Sequence, residues 1–249
     1  MSTDRPCHST VMLRSMTPNS HIDHGVEWAQ ELDQLRKRYA SDVAFIYDWW
    51  QYNAPFINRI RAAIPPPARV LEVGTGTGAL AVLLSGLGYE VVGIDKEAAI
   101  VASARAFASR FPVTCSFEVA DGFDLRAYSD RFDLAFSGGV LEHFSPDDAI
   151  AFLRQQRLAA RQVAAIVPTW HALRNDPMTG PTHARRITRG QLAELFRSAG
   201  LRVTREFGYG VPGGPFDRVY RYALPGVVQL LLQNRLAYAA TIGCLATRV

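Results

Sequence analysis

The chain of 249 residues is 48% hydrophobic and 20% charged, which excludes a disordered protein and allows one or two domains with a buried core. Its formal net charge is only +4, and its basic residues are scattered along the sequence. The two short basic clusters, Arg36–Arg38 and Arg185–Arg186, are therefore expected to be solvated surface rather than a nucleic-acid groove.

The cysteines and the apolar segments of the sequence indicate in which cellular compartment the protein is expected. Cys7, Cys115 and Cys244 are far apart and form no C-x-x-C pattern, so neither a disulfide framework nor a metal site is predicted. Residues 1–20 lack a continuous apolar core and are expected to be a disordered or loosely packed arm. Leu224–Leu232 is too short to span a bilayer. We expect a soluble cytoplasmic enzyme without a membrane or nucleic-acid partner.

Two helices are predicted before the first strand. Residues 26–39 have apolar side chains at helical spacing, and residues 45–52 hold an aromatic concentration found nowhere else in the chain. These aromatic side chains have two interpretations, which are packing of a helix on the core or the wall and cover of a small-molecule pocket. Tyr47 and Tyr52 are the better candidates for a pocket, because their hydroxyls can bind a ligand.

A strand, a glycine-rich turn and a helix follow in direct succession. The β-branched, apolar run Val70–Val73 leads to Gly74, Gly76 and Gly78, and then to the helix-forming run Ala79–Leu84. Glycines permit positive φ and allow a ligand to lie against the backbone, because they have no Cβ. This stretch is predicted to be the first unit of a wound α/β sheet, with a ligand at the turn.

A carboxylate at the end of the second predicted strand indicates a nucleoside ligand. Tyr89–Asp95 places Asp95 about 20 residues after the glycines, where ribose hydroxyls are held in such folds. The glycine spacing differs from the G-x-G-x-x-G of dinucleotide-binding proteins, which makes a dehydrogenase the least favoured interpretation. Glu72, an acid inside an apolar strand, suits a cation nearby.

The pattern E-x-G-x-G-x-G resembles motif I of the small-molecule class I S-adenosylmethionine-dependent methyltransferases. Asp95, followed by Lys96, fits the acidic residue after the second strand of that family. The resemblance implies a doubly wound, seven-stranded, mostly parallel α/β sheet that binds S-adenosyl-L-methionine. It also implies an organisation with a helical lid over residues 21–67, a Rossmann-like domain over residues 68–249 and an insert at about 208–236.

The third strand is predicted over residues 112–119 and is followed by Asp121, Gly122 and Phe123. In the family, an acidic residue here accepts a hydrogen bond from the adenine amino group, and its neighbours lie along the ring. The resemblance therefore places these three residues in the cofactor site. The alternative is an aspartate that only stabilises a turn at the end of a strand.

The segment after the fourth strand, residues 137–144, is similar to the motif IV region of the family. The resemblance implies that Ser137 and Gly138 lie beside the methionine part of the cofactor. His143 is the best candidate for a general base, because an imidazole can take up a proton near neutral pH. Its alternative role is to close the loop before the next helix, and Glu142 is expected to be structural or a wall of the site.

The remaining elements are predicted to complete the sheet and the pocket. The fifth strand covers residues 163–167, and the polar loop after it, with Trp170 and Asn175 as pocket candidates, also contains His171 as a weaker candidate base. A capped helix, a sixth strand over residues 201–207, the insert and a last strand follow.

Three functions fit these observations. The first is methylation of an N or O atom of a small metabolite with an apolar or aromatic part, which releases S-adenosylhomocysteine. The second is attack on the aminocarboxypropyl carbon of the same cofactor, for example cyclisation to azetidine-2-carboxylate with release of methylthioadenosine. The third is a partner protein that binds the cofactor without catalysis. The sequence does not name the acceptor or the oligomeric state.

Overall fold

The computed structural model describes residues 24–173, 184–211, 220, 223–235 and 238–249. Within these ranges the helices are α1 His24–Lys37, α2 Asp42–Ala63, α3 Ala79–Gly86, α4 Ala98–Ala108, α5 Pro146–Ala159, α6 Trp170–Leu173, α7 Arg189–Ser198 and α8 Gly226–Arg235. The strands are β1 Arg69–Val73, β2 Glu90–Asp95, β3 Ser116–Val119, β4 Phe132–Gly138, β5 Ala160–Pro168, β6 Leu201–Tyr209 and β7 Thr241–Arg248. One-turn 3₁₀ helices cover Arg126–Tyr128 and Leu141–His143.

The strands of the described part form one seven-stranded sheet in the order β3-β2-β1-β4-β5-β7-β6. The pairs from β3 to β5 are parallel, and β7 runs antiparallel to both β5 and β6, so the sheet is mostly parallel. The predicted fold is confirmed. The chain order reverses between β1 and β4, which creates the crevice where such sheets bind ligands.

Helices cover both faces of the sheet, because alternate residues of each strand point to opposite sides. In β1, Val70 joins the core under α2, α3 and α4, whereas Leu71 and Val73 join the core under α5 and α7. Continuous apolar strands of this kind are expected in a parallel sheet that is buried on both faces. The third strand begins at Ser116 rather than at residue 112, because pairing with β2 starts there, opposite Val92.

The sequence allowed the aromatic residues of α2 to be either core or the wall of a pocket, and the structure divides them between these two roles. Phe45 and Phe56 are fully buried, and the Phe56 ring lies 5.6 Å from that of Phe136 on β4. This part of the cluster is core. Tyr52 is half-buried, and Tyr47 is 57% exposed with its hydroxyl accepting a hydrogen bond from Gln51. The role of the two helices as a cover for a cofactor stays a prediction.

The expectation of a solvated basic cluster at residues 36–38 is wrong for Arg36, whose side chain is only 8% exposed. Arg36 donates a hydrogen bond of 3.0 Å to the carbonyl of Thr77 and also bonds Asp33 and Ser103. Its guanidinium lies over the ring of Phe107, a cation–π contact that suits Arg. These contacts fasten α1 to the turn that precedes α3.

Two other predictions fall partly or wholly outside the described residues. The arm at residues 1–20 is one of them, and the insert at residues 208–236 is described only in part, including α8. Among the described helices, none has the length and apolarity required to cross a bilayer.

Candidate functional site at the carboxyl edge of the sheet

The glycine turn after β1 has the positive φ values that its glycines permit. Gly74, Gly76 and Gly78 have φ values of +80°, +50° and +74°, a region that residues with a side chain rarely adopt. The N–H groups of Gly74 and Thr75 both donate to the carbonyl of Ile94, at 2.9 and 3.0 Å, and so join the turn to β2. Among the described residues, a Cβ on Gly76 would meet only Leu32, at 4.0 Å, which leaves this backbone open to a ligand.

Glu72 is buried beneath this turn, with 4% exposure. The Thr75 hydroxyl donates to its Oε2 at 2.8 Å. Burial raises the pKa of the Glu72 carboxyl to about 8, and the hydrogen bonds from Thr75 and from the backbone of Ala81 oppose the rise. A buried acid of this kind stays protonated near neutral pH unless a cation lies beside it.

The raised pKa of Glu72 predicts a pH-dependent stability. Between about pH 4.5 and 8 the folded state keeps a proton that the unfolded chain releases, so the free energy of unfolding falls as pH rises through this window. The loss is at most about 1.4 kcal/mol per pH unit for one group. Urea unfolding at several pH values should show a flatter dependence for Glu72→Gln. The same change at the exposed Glu90 should leave the slope unchanged, and equal slopes in Glu72→Gln and the parent protein would contradict the assignment.

Asp95 is half-buried at the end of β2, where its Oδ1 accepts a hydrogen bond of 3.1 Å from the N–H of Glu97. Burial raises the pKa of the Asp95 carboxyl, and the N–H groups of Glu97 and Gly76 oppose that rise. The carboxylate and the open glycine turn are thus neighbours. Lys96 points to solvent and lies 3.7 Å from the carboxylate of Glu97.

Asp121, Gly122 and Phe123 follow β3 at the same edge. The Oδ1 of Asp121 accepts a hydrogen bond of 2.9 Å from the N–H of Phe123, which is the turn geometry of the alternative interpretation. A Cβ on Gly122 would lie 2.4 Å from the Phe152 ring, so only glycine fits there. The Phe123 ring is 38% exposed and packs edge-on against Phe144 at 5.0 Å.

The end of β4 lies against the glycine turn. A Cβ on Gly74 would stand 2.8 Å from Val140, so these two segments are in contact. The Ser137 side chain is buried and accepts a hydrogen bond of 3.3 Å from Gln156 on α5. Its hydroxyl is therefore engaged inside the fold, and Gly138 follows at the strand end.

Glu142 and His143 have opposite surroundings, although they are neighbours in one 3₁₀ turn. His143 is exposed, whereas Glu142 is 3% exposed and its Oε2 has no hydrogen-bond partner in the described part of the chain. Arg185 packs on this turn through two hydrogen bonds. Its backbone N–H donates to the Glu142 carbonyl at 2.7 Å, and its side-chain Nε donates to the carbonyl of Phe144. Its Nη2 is buried, so the expectation of solvated surface is wrong for Arg185.

A group of hydroxyls lies where α2 meets the end of β6 and the start of β7. The Tyr52 hydroxyl lies 2.6 Å from that of Thr241, and its ring packs edge-on against Tyr209 at 5.6 Å. The Tyr209 hydroxyl donates to Asn53 at 3.0 Å, and burial raises its pKa well above the usual value. Sequence reasoning missed Asn53, because an amide inside an aromatic helix carries no periodic signal.

The other pocket candidates are less closely associated with this group. Trp170 is half-buried, and the guanidinium of Arg186 lies over its ring. Asn175 lies outside the described residues, and Tyr47 is exposed on α2, where its hydroxyl bonds only within the helix among the contacts described. Within the described ranges, no group of three or more His, Cys, Asp or Glu side chains is suited to hold a metal ion.

Comparison with known proteins agrees with this geometry. A family model described as a methyltransferase domain matches residues 70–162, which include the glycine turn, Asp95, Asp121 and the end of β4. Ubiquinone biosynthesis O-methyltransferase from Thiobacillus denitrificans is 28% identical over 214 residues, which cover 75% of this chain and 91% of that protein. Magnesium protoporphyrin IX methyltransferase (ChlM) from Synechocystis PCC 6803, crystallised with bound S-adenosylmethionine, has a TM-score of 0.60 at 16% identity, covering 93% of this chain and 100% of that one.

Residues 70–162 thus match a methyltransferase domain, and the chain has the fold of the class I S-adenosylmethionine-dependent methyltransferases. The S-adenosylmethionine bound to that neighbour agrees with the cofactor that the sequence predicts for this chain. The fold is shared with the [4+2]-cyclase SpnF, which has a TM-score of 0.59 at 17% identity and covers 80% of this chain and 82% of that one. A common fold therefore does not name the acceptor, which must be argued from the site.

Proposed function

We propose that this methyltransferase methylates a hydroxyl oxygen of a small aromatic metabolite. The similarity to ubiquinone biosynthesis O-methyltransferase over 75% of the chain supports oxygen as the methylated atom. The half-buried Tyr52 and Trp170 at the carboxyl edge support an acceptor with a flat apolar part. Methylation of nitrogen is the other outcome that the experiment below distinguishes.

One observation carries the proposed cofactor site: an open glycine turn and a half-buried carboxylate meet beside the point where the strand order reverses. We infer that Asp95 holds the ribose hydroxyls and that the backbone around Gly76 accommodates the amino-acid end. The other proposed cofactor contacts are Glu72, Gly74, Gly78, Lys96, Asp121, Gly122, Phe123, Ser137 and Gly138.

We also propose that residues 21–67 cover the cofactor bound to the domain of residues 68–249. Two contacts support this role for α1. Among the described atoms, Leu32 Cδ1 is the nearest to the position that a Cβ on Gly76 would take. Arg36 donates a hydrogen bond to the carbonyl of Thr77 in the same turn. A cover of this kind excludes water from the reacting atoms.

Methyl transfer requires the protein to supply positioning more than chemical activation. S-adenosylmethionine supplies an activated methyl group on a sulfonium. The chain must hold the acceptor oxygen in line with that methyl group and keep water out, which are effects of position rather than of a fixed catalytic triad. The parts of this chain that can orient an acceptor are the aromatic rings of Tyr52 and Tyr209 and the turn after β4, residues 139–144.

Product analysis tests the proposed function directly. The protein is incubated with S-adenosylmethionine alone and with catechol as a hydroxyaromatic probe, with an aromatic amine in parallel, and the products are identified by mass spectrometry. We expect S-adenosylhomocysteine and methylated catechol in equal amounts. Methylthioadenosine formed without an acceptor would instead indicate attack on the aminocarboxypropyl carbon. Bound but unchanged cofactor in every reaction would indicate a partner protein without catalysis.

A further inference from the structure

The buried carboxyl of Glu142 is a polar group for which the fold supplies no complete set of partners. It is 3% exposed, and its Oε2 has no hydrogen-bond partner among the described residues. A buried polar atom without a partner costs about 1–3 kcal/mol, so such a group calls for an explanation. A ligand that donates a hydrogen bond to Oε2 would provide the missing partner.

The turn after β4, residues 139–144 (the β4 turn), carries this carboxyl and lies at the carboxyl edge of the sheet. A Cβ on Gly139 would lie 3.6 Å from Glu142 Oε1, and one on Gly74 would lie 2.8 Å from Val140. The turn that carries this carboxyl therefore follows β4 and contacts the glycine turn that follows β1. Strand order reverses between these two strands, and ligands bind at such a point.

Arg185 keeps the turn in this position. Its N–H donates to the Glu142 carbonyl at 2.7 Å, and its Nε donates to the carbonyl of Phe144. Among the described residues, Arg185 is the charged residue that bonds the backbone of this turn from another segment, and His143 is the titratable neighbour of Glu142 within the turn. His143 is exposed, so its side chain does not share the buried surroundings of the carboxyl.

From this geometry we propose that Glu142, rather than His143, accepts the proton of the acceptor hydroxyl during methyl transfer. The proposal rests on the proposed function. As the acceptor O–H bond breaks, its proton passes to Glu142 Oε2. The oxygen electron pair forms the new O–CH₃ bond, and the electron pair of the broken C–S bond stays on sulfur.

Burial gives the carboxyl the basicity that this role needs. Removal from water raises the pKa of Glu142 to about 8. A base is most effective when its pKa lies near the working pH, because it is then often ionised and still binds a proton well. The ionised fraction, and with it the rate, rises with pH through about 8 and levels off above it.

Infrared spectroscopy tests the carboxyl without relying on turnover. The protonated carboxylic acid band should disappear as pH rises, and Glu142→Gln should lack this component. Glu72→Gln identifies the band of the other buried acid, and the exposed Glu194→Gln is the matched control. In the complex with S-adenosylhomocysteine, catechol should shift the Glu142 band. A band that does not respond to catechol overturns the proposal, whether or not catechol is methylated.

Kinetics with catechol provide the second test. Glu142→Gln should lower kcat by about 100-fold or more and remove the rise of the rate with pH, while the affinity for S-adenosylmethionine stays unchanged. His143→Gln should keep the rise with pH, whatever its effect on the rate. Loss of that rise in His143→Gln, or its retention in Glu142→Gln, would overturn the proposal. A parent enzyme that methylates no hydroxyl would defeat the proposed function itself, and the infrared result then decides on Glu142 separately.

Discussion

Replacing Asp95 by alanine is expected to weaken the binding of S-adenosylmethionine by an order of magnitude or more. The half-buried carboxylate at the end of β2 is proposed to bond the ribose hydroxyls, and a hydrogen bond to a charged group contributes about 1.5–3 kcal/mol. This free energy corresponds to roughly a 10- to 100-fold change in Kd. Isothermal titration calorimetry with the cofactor and with S-adenosylhomocysteine measures the change.

Glu90 offers a matched control for Asp95, because it is an acid at the opposite end of the same strand. Its side chain is 77% exposed, and its contact with Arg69 is a surface ion pair. Surface pairs contribute little, so Glu90→Ala should keep the affinity and the fold. Equal affinities of Asp95→Ala and Glu90→Ala would remove Asp95 from the cofactor site.

Replacing Phe56 by alanine is expected to destabilise the protein by about 3–5 kcal/mol, the usual cost of truncating a buried phenylalanine. Phe56 is 1% exposed, and its ring lies 5.6 Å from that of Phe136 and 6.2 Å from that of Phe207. The cavity left by alanine would lie between α2 and strands β4 and β6. Urea unfolding followed by fluorescence or circular dichroism measures the loss.

Tyr47→Ala is the matched control, since Tyr47 is an aromatic residue of the same helix with 57% exposure. Its replacement should change the free energy of unfolding by only about 0.5 kcal/mol or less. If Phe56→Ala had an equally small effect, α2 would be a detachable lid and not a layer of the core. A large difference between the two variants supports the division of the aromatic cluster described above.

Local spacing was sufficient to predict the glycine turn and the end of β2. A strand, three glycines and a helix follow one another within a few residues, so the backbone conformation depends on residue types that are close together in the sequence. The positive φ values of Gly74, Gly76 and Gly78 agree with that prediction. The seven strands and their mostly parallel pairing also agree with the predicted sheet, because right-handed crossover connections leave few alternatives for a wound fold.

Local spacing was not sufficient for charged side chains that become buried. The sequence predicts a surface cluster that includes Arg36, yet Arg36 bonds Thr77, which is 41 residues away in the sequence. The signal was present but weak, since Arg36 continues the apolar helical face of Leu32 and Leu35. Arg185 likewise bonds Phe144 across 41 residues.

The sequence by itself determined the sheet, the glycine turn and the carboxylate of Asp95, because each depends on a periodic pattern or on a short, fixed spacing. Only the tertiary structure decided the surroundings of Glu142 and His143, which are adjacent in the sequence but differ in burial. Burial is set by the residues that pack around a side chain, and those come from distant parts of the chain. The same cause raises the pKa of Glu142, so its chemistry could be inferred only once the fold had been described.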